Sequence, residues 1–404
     1  MLCQCPLQSH GIHFDFHSTI RAMRIALITP GITPYVMGGL QRHSFNLARQ
    51  LARLEVPVDL YHTDFKSARG IDGLNGMTDD ERKYITSIAI PWPQGDRWPG
   101  HYVRELKSFS RAVHKRLLER PQVDFVIAKS LTAWDLVEAK RRGADLPPIG
   151  VNLHGYEMFQ RQPNLKSSLQ SIMMRTAFAW HAKRADYVFS YGARITDLIR
   201  DRLQIPAQKI IEIPGGIDAT WIVDAPSPVQ QPRNFLFLGR HERRKGIEEL
   251  HAVIAAHPAW SRFARFRFIG PIPASHRLDL PHVTYTGPIS DVAELRRELH
   301  LGDVLLCPSH SEGMPNSIME GMTAGLAVIA TDVGAVGLLV SDANGALLAK
   351  AGKEALAHHI ERIAHLDDSE ITAIKNESLA IIQNFTWDRI AKMTLDSLIN
   401  RQEI

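Results

Sequence analysis

Short apolar runs alternate with longer stretches of helical spacing along almost the whole chain. Runs at 24–29, 58–62, 85–90, 124–128, 149–153, 187–190 and 210–213 form one series. A second series follows at 234–238, 266–269, 283–286, 303–307 and 327–330. Between them lie helical patterns; Leu40, Phe45, Leu47, Ala48 and Leu51, for example, fall on one face of a helix over 40–54. Further helices are predicted over 164–184, 247–256 and 388–400. The stretch 221–233, with Pro226, Pro228 and Pro232, separates the two series and reads as a linker. Strand and helix alternating twice predicts an α/β protein, with two doubly wound Rossmann-like domains facing one interdomain cleft. The chain has 404 residues, too many for one core, which agrees with two domains. Residues 1–22 lack periodicity and read as a disordered leader or a misplaced start ahead of Met23.

Two turns at the ends of second-series strands carry the strongest chemistry. The run 303–307 stops at Pro308, a small polar loop covers 309–313, and Pro315 opens a helix before the strand at 327–330. Proline suits the first helical position, where its missing N–H would be unbonded anyway. In parallel sheets ligands gather outside the carboxyl ends of strands, opposite helix N-termini that favour anions. Glu312 in the loop and Glu320 on the helix cannot bind phosphate, so they read as acceptors for hydroxyls. A helix start for phosphate beside acceptors for hydroxyls describes a nucleotide-sugar site. The other turn, Gly239-Arg240-His241-Glu242-Arg243-Arg244-Lys245-Gly246, joins the strand at 234–238 to a helix. Arg240 suits bidentate contact with phosphate oxygens and Lys245 adds a point charge, while Arg243 and Arg244 read as solvated extra charge.

The first series offers weaker signals. Gly38 and Gly39 precede the helix over 40–54, where bare backbone lets a ligand approach closely. His154 follows the strand at 149–153 and reads as a hydrogen-bonding group rather than a proton-transfer base. The Pro- and Trp-rich stretch 91–109 reads as a long surface loop leading into a helix. Trp92 and Trp98 within it would stack on sugar, lie against lipid headgroups, or pack on the domain.

Glu312 and Glu320 lie in Ser-Glu-Gly-Met-Pro-Asn-Ser-Ile-Met-Glu-Gly-Met, with Thr331-Asp332-Val333-Gly334 downstream. This resembles the E-x7-E signature of retaining GT-B glycosyltransferases of family four. The turn at 239–246 is similar to the family's G-R-x-x-x-x-K-G, and Gly38-Gly39 with His43 resembles its G-G-x-x-x-H. His43 itself is expected to be a histidine satisfied on its own helix. Pro214-Gly215-Gly216-Ile217-Asp218 departs from the family's P-N-G-[VI]-D at Gly215 and puts a side-chain contact there in doubt. The resemblance implies that Arg240, Lys245, Glu312 and His154 are the catalytic residues. It further implies that Gly38, Gly39, Gly313, Pro315, Asn316, Glu320, Gly287 and Ile289 bind the donor. It also implies division into a first domain over 23–220, a second over 234–384, and a terminal helix over 385–404 crossing back. No D-x-D motif occurs, so no metal and no cofactor beyond the nucleoside diphosphate sugar is expected. Two readings stay beside the transferase: a GT-B sugar-nucleotide epimerase, and a non-catalytic GT-B binding protein.

Composition adds little to this except through charge. Residues 23–205 carry 27 Lys and Arg against 18 Asp and Glu, whereas 206–404 carry 19 against 24. A basic first half invites an acidic partner, such as an anionic membrane surface, or merely keeps the domain soluble. Expected partners are a nucleotide sugar and a glycan or lipid-linked acceptor, in cell-envelope polysaccharide or glycolipid synthesis, and no nucleic acid. No run of eighteen apolar residues exists to span a membrane. Three cysteines make neither a disulfide framework nor a zinc pattern, so the expected setting is cytoplasmic, with peripheral contact on the inner membrane face as the one addition. His13, Asp15 and His17 alternate in the leader and receive no function.

Overall fold

The computed structural model describes residues 23–401 apart from Met37, 64–71, 94–97, Pro99, Arg161 and Pro163, and apart from the side chains of Lys166, Ser167, Gln170 and Met173. The leader, with Cys3, Cys5, His13, Asp15 and His17, lies outside the described residues.

Strands β1 (Ile25–Ile28), β2 (Val58–His62), β3 (Ile85–Ala89), β4 (Phe125–Lys129), β5 (Ile149–Asn152), β6 (Tyr187–Ser190) and β7 (Ile210–Glu212) form a parallel sheet. Its order is β3-β2-β1-β4-β5-β6-β7. Strands β8 (Arg233–Leu238), β9 (Ala264–Ile269), β10 (Val283–Gly287), β11 (Val304–Cys307), β12 (Ala327–Thr331) and β13 (Gly345–Leu348) form a second parallel sheet, ordered β10-β9-β8-β11-β12-β13. Helices α1 (Gly39–Arg53), α2 (His101–Leu118), α3 (Trp134–Arg141) and α4 (Leu165–Arg184) belong to the first sheet. Helices α5 (Ile247–Ala256), α6 (Val292–His300), α7 (Asn316–Thr323), α8 (Lys353–Ala364) and α9 (Asp368–Ile382) belong to the second.

The lack of apolar–polar alternation in the strands has a simple cause. Successive side chains of a strand point to opposite faces, and here both faces are covered. Ala26 and Ile28 join one buried cluster, whereas Ile25 and Leu27 join another on the opposite face. Val304 and Leu306 separate from Leu305 and Cys307 in the same way. The expected pair of Rossmann-like α/β domains is what forms. In each sheet the strand order reverses at one point, between β1 and β4 and between β8 and β11. Loops leaving those strands diverge and leave a crevice, which is where such sheets bind ligands.

Two segments tie the halves together. The Pro-rich stretch before β8 lies against the second domain, where Val223 donates to the Thr323 carbonyl and Gln230 to the Asp303 carboxylate. Fully buried Lys375 closes that contact by donating to the Ser227 carbonyl at 2.9 Å and to Asp303 at 3.2 Å. At the other end, Thr386 pairs with Ile217, and helix α10 (Trp387–Ile399) follows. Its Trp387, Ile390, Leu395 and Leu398 share a buried cluster with Phe45, Leu47 and Leu51 of α1. No described helix is long and apolar enough to cross a membrane.

Candidate active site

The second domain's wall is built from the two strand ends at its switch point. Gly246 ends the basic loop after β8 at φ 69°, and a Cβ there would fall 1.9 Å from the Pro308 carbonyl oxygen. Only glycine lets that loop press against the end of β11. The contact sets Lys245 Nζ 2.5 Å from Glu312 Oε1, which also accepts from Ser309 Oγ at 2.8 Å. Burial alone would raise the Glu312 carboxyl, but Lys245, Arg244 and the Lys245 and Ser309 hydrogen bonds hold it below the ordinary value. Arg240, largely exposed, sits on the same wall and pairs with Glu242 at 2.8 Å.

Three expectations for this wall are corrected. Arg244 is not solvated surplus: it is half-buried, lines the cleft, and bridges Glu242 at 2.8 Å and Glu312 at 3.5 Å. Arg243 is tied to Glu248 and Glu249 at 3.2 and 2.5 Å, since helix α5 presents both acids to the loop. Pro315 does not occupy the first helical position; its extended backbone, at φ −74° and ψ 116°, places it one residue earlier and α7 starts at Asn316. Pro315, Asn316 and Glu320 still line the cleft. Burial raises the Glu320 carboxyl despite its pair with Arg42, whose Nη2 reaches across from α1 at 2.9 Å.

The first domain's wall is of another kind. After β5 the backbone turns through His154 at φ 57° and Tyr156 at φ 52°, a left-handed conformation that costs roughly 1 kcal/mol or more per residue. The turn carries Gly155 against Gly313 of the opposite domain; a Cβ on Gly155 would lie 2.8 Å from Gly313 N. Tyr191 and His154 are joined by a 2.5 Å hydrogen bond at Nδ1. Burial raises the phenol, which therefore stays protonated and is able to donate to Nδ1. Burial and Lys129 hold His154 neutral. Its Nε2 is buried and has no hydrogen-bond partner among the described residues. A polar ring nitrogen left in that state beside the cleft favours a polar ligand atom.

His43 differs from its expected role. It is not satisfied on α1: Lys129, at the end of β4, lies 3.2 Å from its Nδ1, and the ring stands edge-on to Trp387 at 5.0 Å and to His154 at 5.7 Å. Glu157, which the sequence reading passed over, also faces the cleft; burial raises its carboxyl, and the Glu312 charge adds to this.

Together the walls enclose a cleft of about 710 Å³. It brings together Arg240, Lys245, Glu312, His154, Gly39, Gly313, Pro315, Asn316 and Glu320. Gly38 stands just behind, its carbonyl accepting from Arg42 N at 3.0 Å. Gly287 and Ile289 are not brought to the cleft wall: Gly287 ends edge strand β10 and Ile289 packs in a core cluster of the second domain. Trp92 is buried against Phe109 and donates to Glu105, whereas Trp98 is exposed. Among the described residues no group of three or more His, Cys, Asp or Glu is placed to hold a metal ion.

Comparison with known proteins gives this cleft a context. Residues 37–221 match the family model described as Glycosyltransferase Family 4, and residues 232–365 match the one described as Glycosyl transferases group 1. A 138-residue stretch is 33% identical to a provisionally named teichuronic acid biosynthesis glycosyltransferase of Bacillus subtilis, a match spanning 34% of each chain. The phosphatidyl-myo-inositol mannosyltransferase of Mycobacterium leprae is 25% identical over 92% of this chain and 96% of its own. Among solved structures, sucrose-phosphate synthase from Thermosynechococcus elongatus superposes with a TM-score of 0.73 at 20% identity, over 94% of this chain and 99% of that one. An Anabaena protein solved with UDP-glucose superposes at 0.64 with 15% identity, over 94% and 100%. One glycosyltransferase model on each side of the cleft, relatives that are glycosyltransferases, and the shared two-domain fold together support placing this chain among the GT-B glycosyltransferases of the family-four kind.

Proposed function

We propose that this protein is a retaining glycosyltransferase. It moves a sugar from a nucleoside diphosphate sugar to a hydroxyl of a glycan or lipid-linked acceptor, in the synthesis of cell-envelope polysaccharide or glycolipid. The observation that carries the reading is the wall of Arg240, Lys245, Glu312 and Glu320 at the ends of β8 and β11, facing His154 across the cleft. Relatives named for teichuronic acid and phosphatidyl-myo-inositol chemistry favour an envelope acceptor.

Each group has a physical task in this proposal. Breaking the anomeric C–O bond leaves the electron pair on a phosphate oxygen, beside Arg240 and Lys245, which are fixed where that charge develops. Such preorganised donors commonly contribute about 3–4 kcal/mol each. Glu312 and His154 orient hydroxyls of the transferred sugar, and Glu320 the ribose. The acceptor hydroxyl attacks from the face the phosphate leaves, its oxygen bonding to the anomeric carbon while its proton passes to the departing phosphate oxygen. Anomeric configuration is thereby kept. The basic first domain is the side assigned to the acceptor and to any anionic membrane surface.

The test is thermal-shift titration with UDP, GDP, ADP and CMP, each beside its sugars. Stabilisation by one nucleoside diphosphate, reduced at least tenfold in apparent affinity by Arg240→Ala, is the expected result. No binding at millimolar concentration would remove the transferase reading.

A further inference from the structure

Lys129 is a group that this proposed chemistry does not use. It ends β4 and is 1% exposed, and no ion pair among the described residues includes it. Burying an ammonium away from carboxylates is costly, and burial brings its pKa down to about 7. Among the described residues the hydrogen-bond partner of its Nζ is Nδ1 of His43 at 3.2 Å. A void of about 10 Å³ is lined, among others, by His43, Lys129, Asn152 and Thr394. The same ring also forms part of the main cleft's wall.

The chemistry at 3.2 Å decides the state of the imidazole. Burial first, then Lys129 and His154, push the His43 pKa well below the ordinary value, so the ring is neutral and carries one N–H. Below about pH 7 Lys129 is charged and its ammonium has donors only, so a proton on Nδ1 would there set two donors against each other. Trp387 and His154, packed edge-on at 5.0 and 5.7 Å, keep the ring from turning away. We propose that Lys129 is a positioning residue: it donates to Nδ1 of His43, fixes the Nε2–H form, and so makes His43 a hydrogen-bond donor to an oxygen of the nucleotide sugar. The ligand in this inference rests on the transferase reading; the state of the ring does not. Tyr191 Oη lies 2.5 Å from Nδ1 of His154 and, in donating to it, would set the same form there. The first domain then presents two neutral imidazoles, each with a partner behind it.

The experiment has two arms. In ¹⁵N-histidine-labelled full-length protein at about pH 6, where Lys129 is charged, the His43 signals, assigned by their loss in His43→Gln, should show a bare Nδ1 and a protonated Nε2. A protonated Nδ1 in the wild type would overturn the inference whatever the variants do, and this readout needs no activity. In the second arm, Lys129→Met, which keeps the stem but removes the donor, should give a mixture of the two forms. It should also lower kcat/KM for the nucleotide sugar about tenfold, with acceptor KM unchanged. In a His43→Gln background the same change should cost less than about twofold, because its route is already gone. An equal loss in both backgrounds, or a loss confined to acceptor KM, would sink the proposal. If Lys129→Met does not fold, Lys129→Gln, which restores a donor, should fold and keep Nε2–H. If the ring is as stated but no nucleoside diphosphate binds, the transferase reading fails and the positioning network stands.

Discussion

The two walls of the cleft solve opposite problems. On the second domain every acid at the site is matched by a cation: Glu312 by Lys245 and Arg244, Glu320 by Arg42. On the first domain, Arg42 apart, the groups named are neutral or driven that way, with His43 and His154 uncharged and Glu157 raised by burial. A charged wall can exchange its internal pairs for pairs with a diphosphate, so binding moves charges between partners rather than desolvating new ones. A neutral wall of N–H donors has little pull on a diphosphate but discriminates hydroxyls by direction. Glu312 and Glu157 show the contrast most directly, because one buried and one half-buried carboxyl both lie near the Gly155–Gly313 contact. Two cations hold one below the ordinary carboxylate value, while burial lifts the other above it.

The comparison can be broken most severely at Lys245. Lys245→Ala removes the closer partner of Glu312 and a fixed charge beside the proposed leaving phosphate. The turnover number should fall about a hundredfold or more, measured as sugar transfer at saturating donor. A loss below tenfold would mean that the charged wall is not where charge develops.

A middle-sized effect tests whether the walls must touch. Gly155→Ala puts a methyl 2.8 Å from Gly313 N and 2.5 Å from Glu157 Oε1, so the domains must part or the turn must distort. We expect kcat/KM to fall about tenfold, since a displacement near 1 Å is costly to orientation. Small-angle scattering should show a larger radius of gyration with both domains folded. Unchanged scattering and activity would show that the close approach is incidental.

The smallest effect concerns Glu157. Its folded pKa lies above its ordinary value of 4.5, so the folded protein holds a proton that the unfolded chain has already lost. Stability therefore declines as pH rises from about 4.5 through the raised value, and stays lower above it. Glu157→Gln removes that decline and should raise Tm by on the order of 2 °C at pH 8, with no gain at pH 4. A gain that persists at pH 4 would assign the effect to packing instead.

How legible each wall was in the sequence follows the same division. Arg240, Lys245, Glu312 and Glu320 lie in two strand–loop–helix turns, where local spacing nearly dictates geometry. Arg42 pairs with Glu320 across 278 positions, and nothing in its neighbourhood announces that. Lys129 stands just past the apolar run at 124–128, where nothing local marks it, and its partner His43 reads as a helix histidine. Arg244 read as solvated because four cations in one loop invite that reading; only the nearness of Glu312 buries it. Glu157 was visible beside His154, and its raised pKa needed its burial, then the facing acid, to be known. Gly287 and Ile289 stand apart from the residues lining the cleft, since the strand end that suggested them lies at the sheet edge.

By itself the sequence determined the alternation of strands and helices, the two series, and the glycine- and proline-marked turns, because these depend on neighbours within a few residues. It also determined the chemistry of the second domain's wall, where charges and helix start belong to the same short segments. Tertiary structure alone decided which cations face which acids, which groups stand against the two histidines, and where the two domains touch. Those outcomes depend on burial and on partners up to 278 residues away, and pairing at that range is set by packing of whole domains rather than by local pattern.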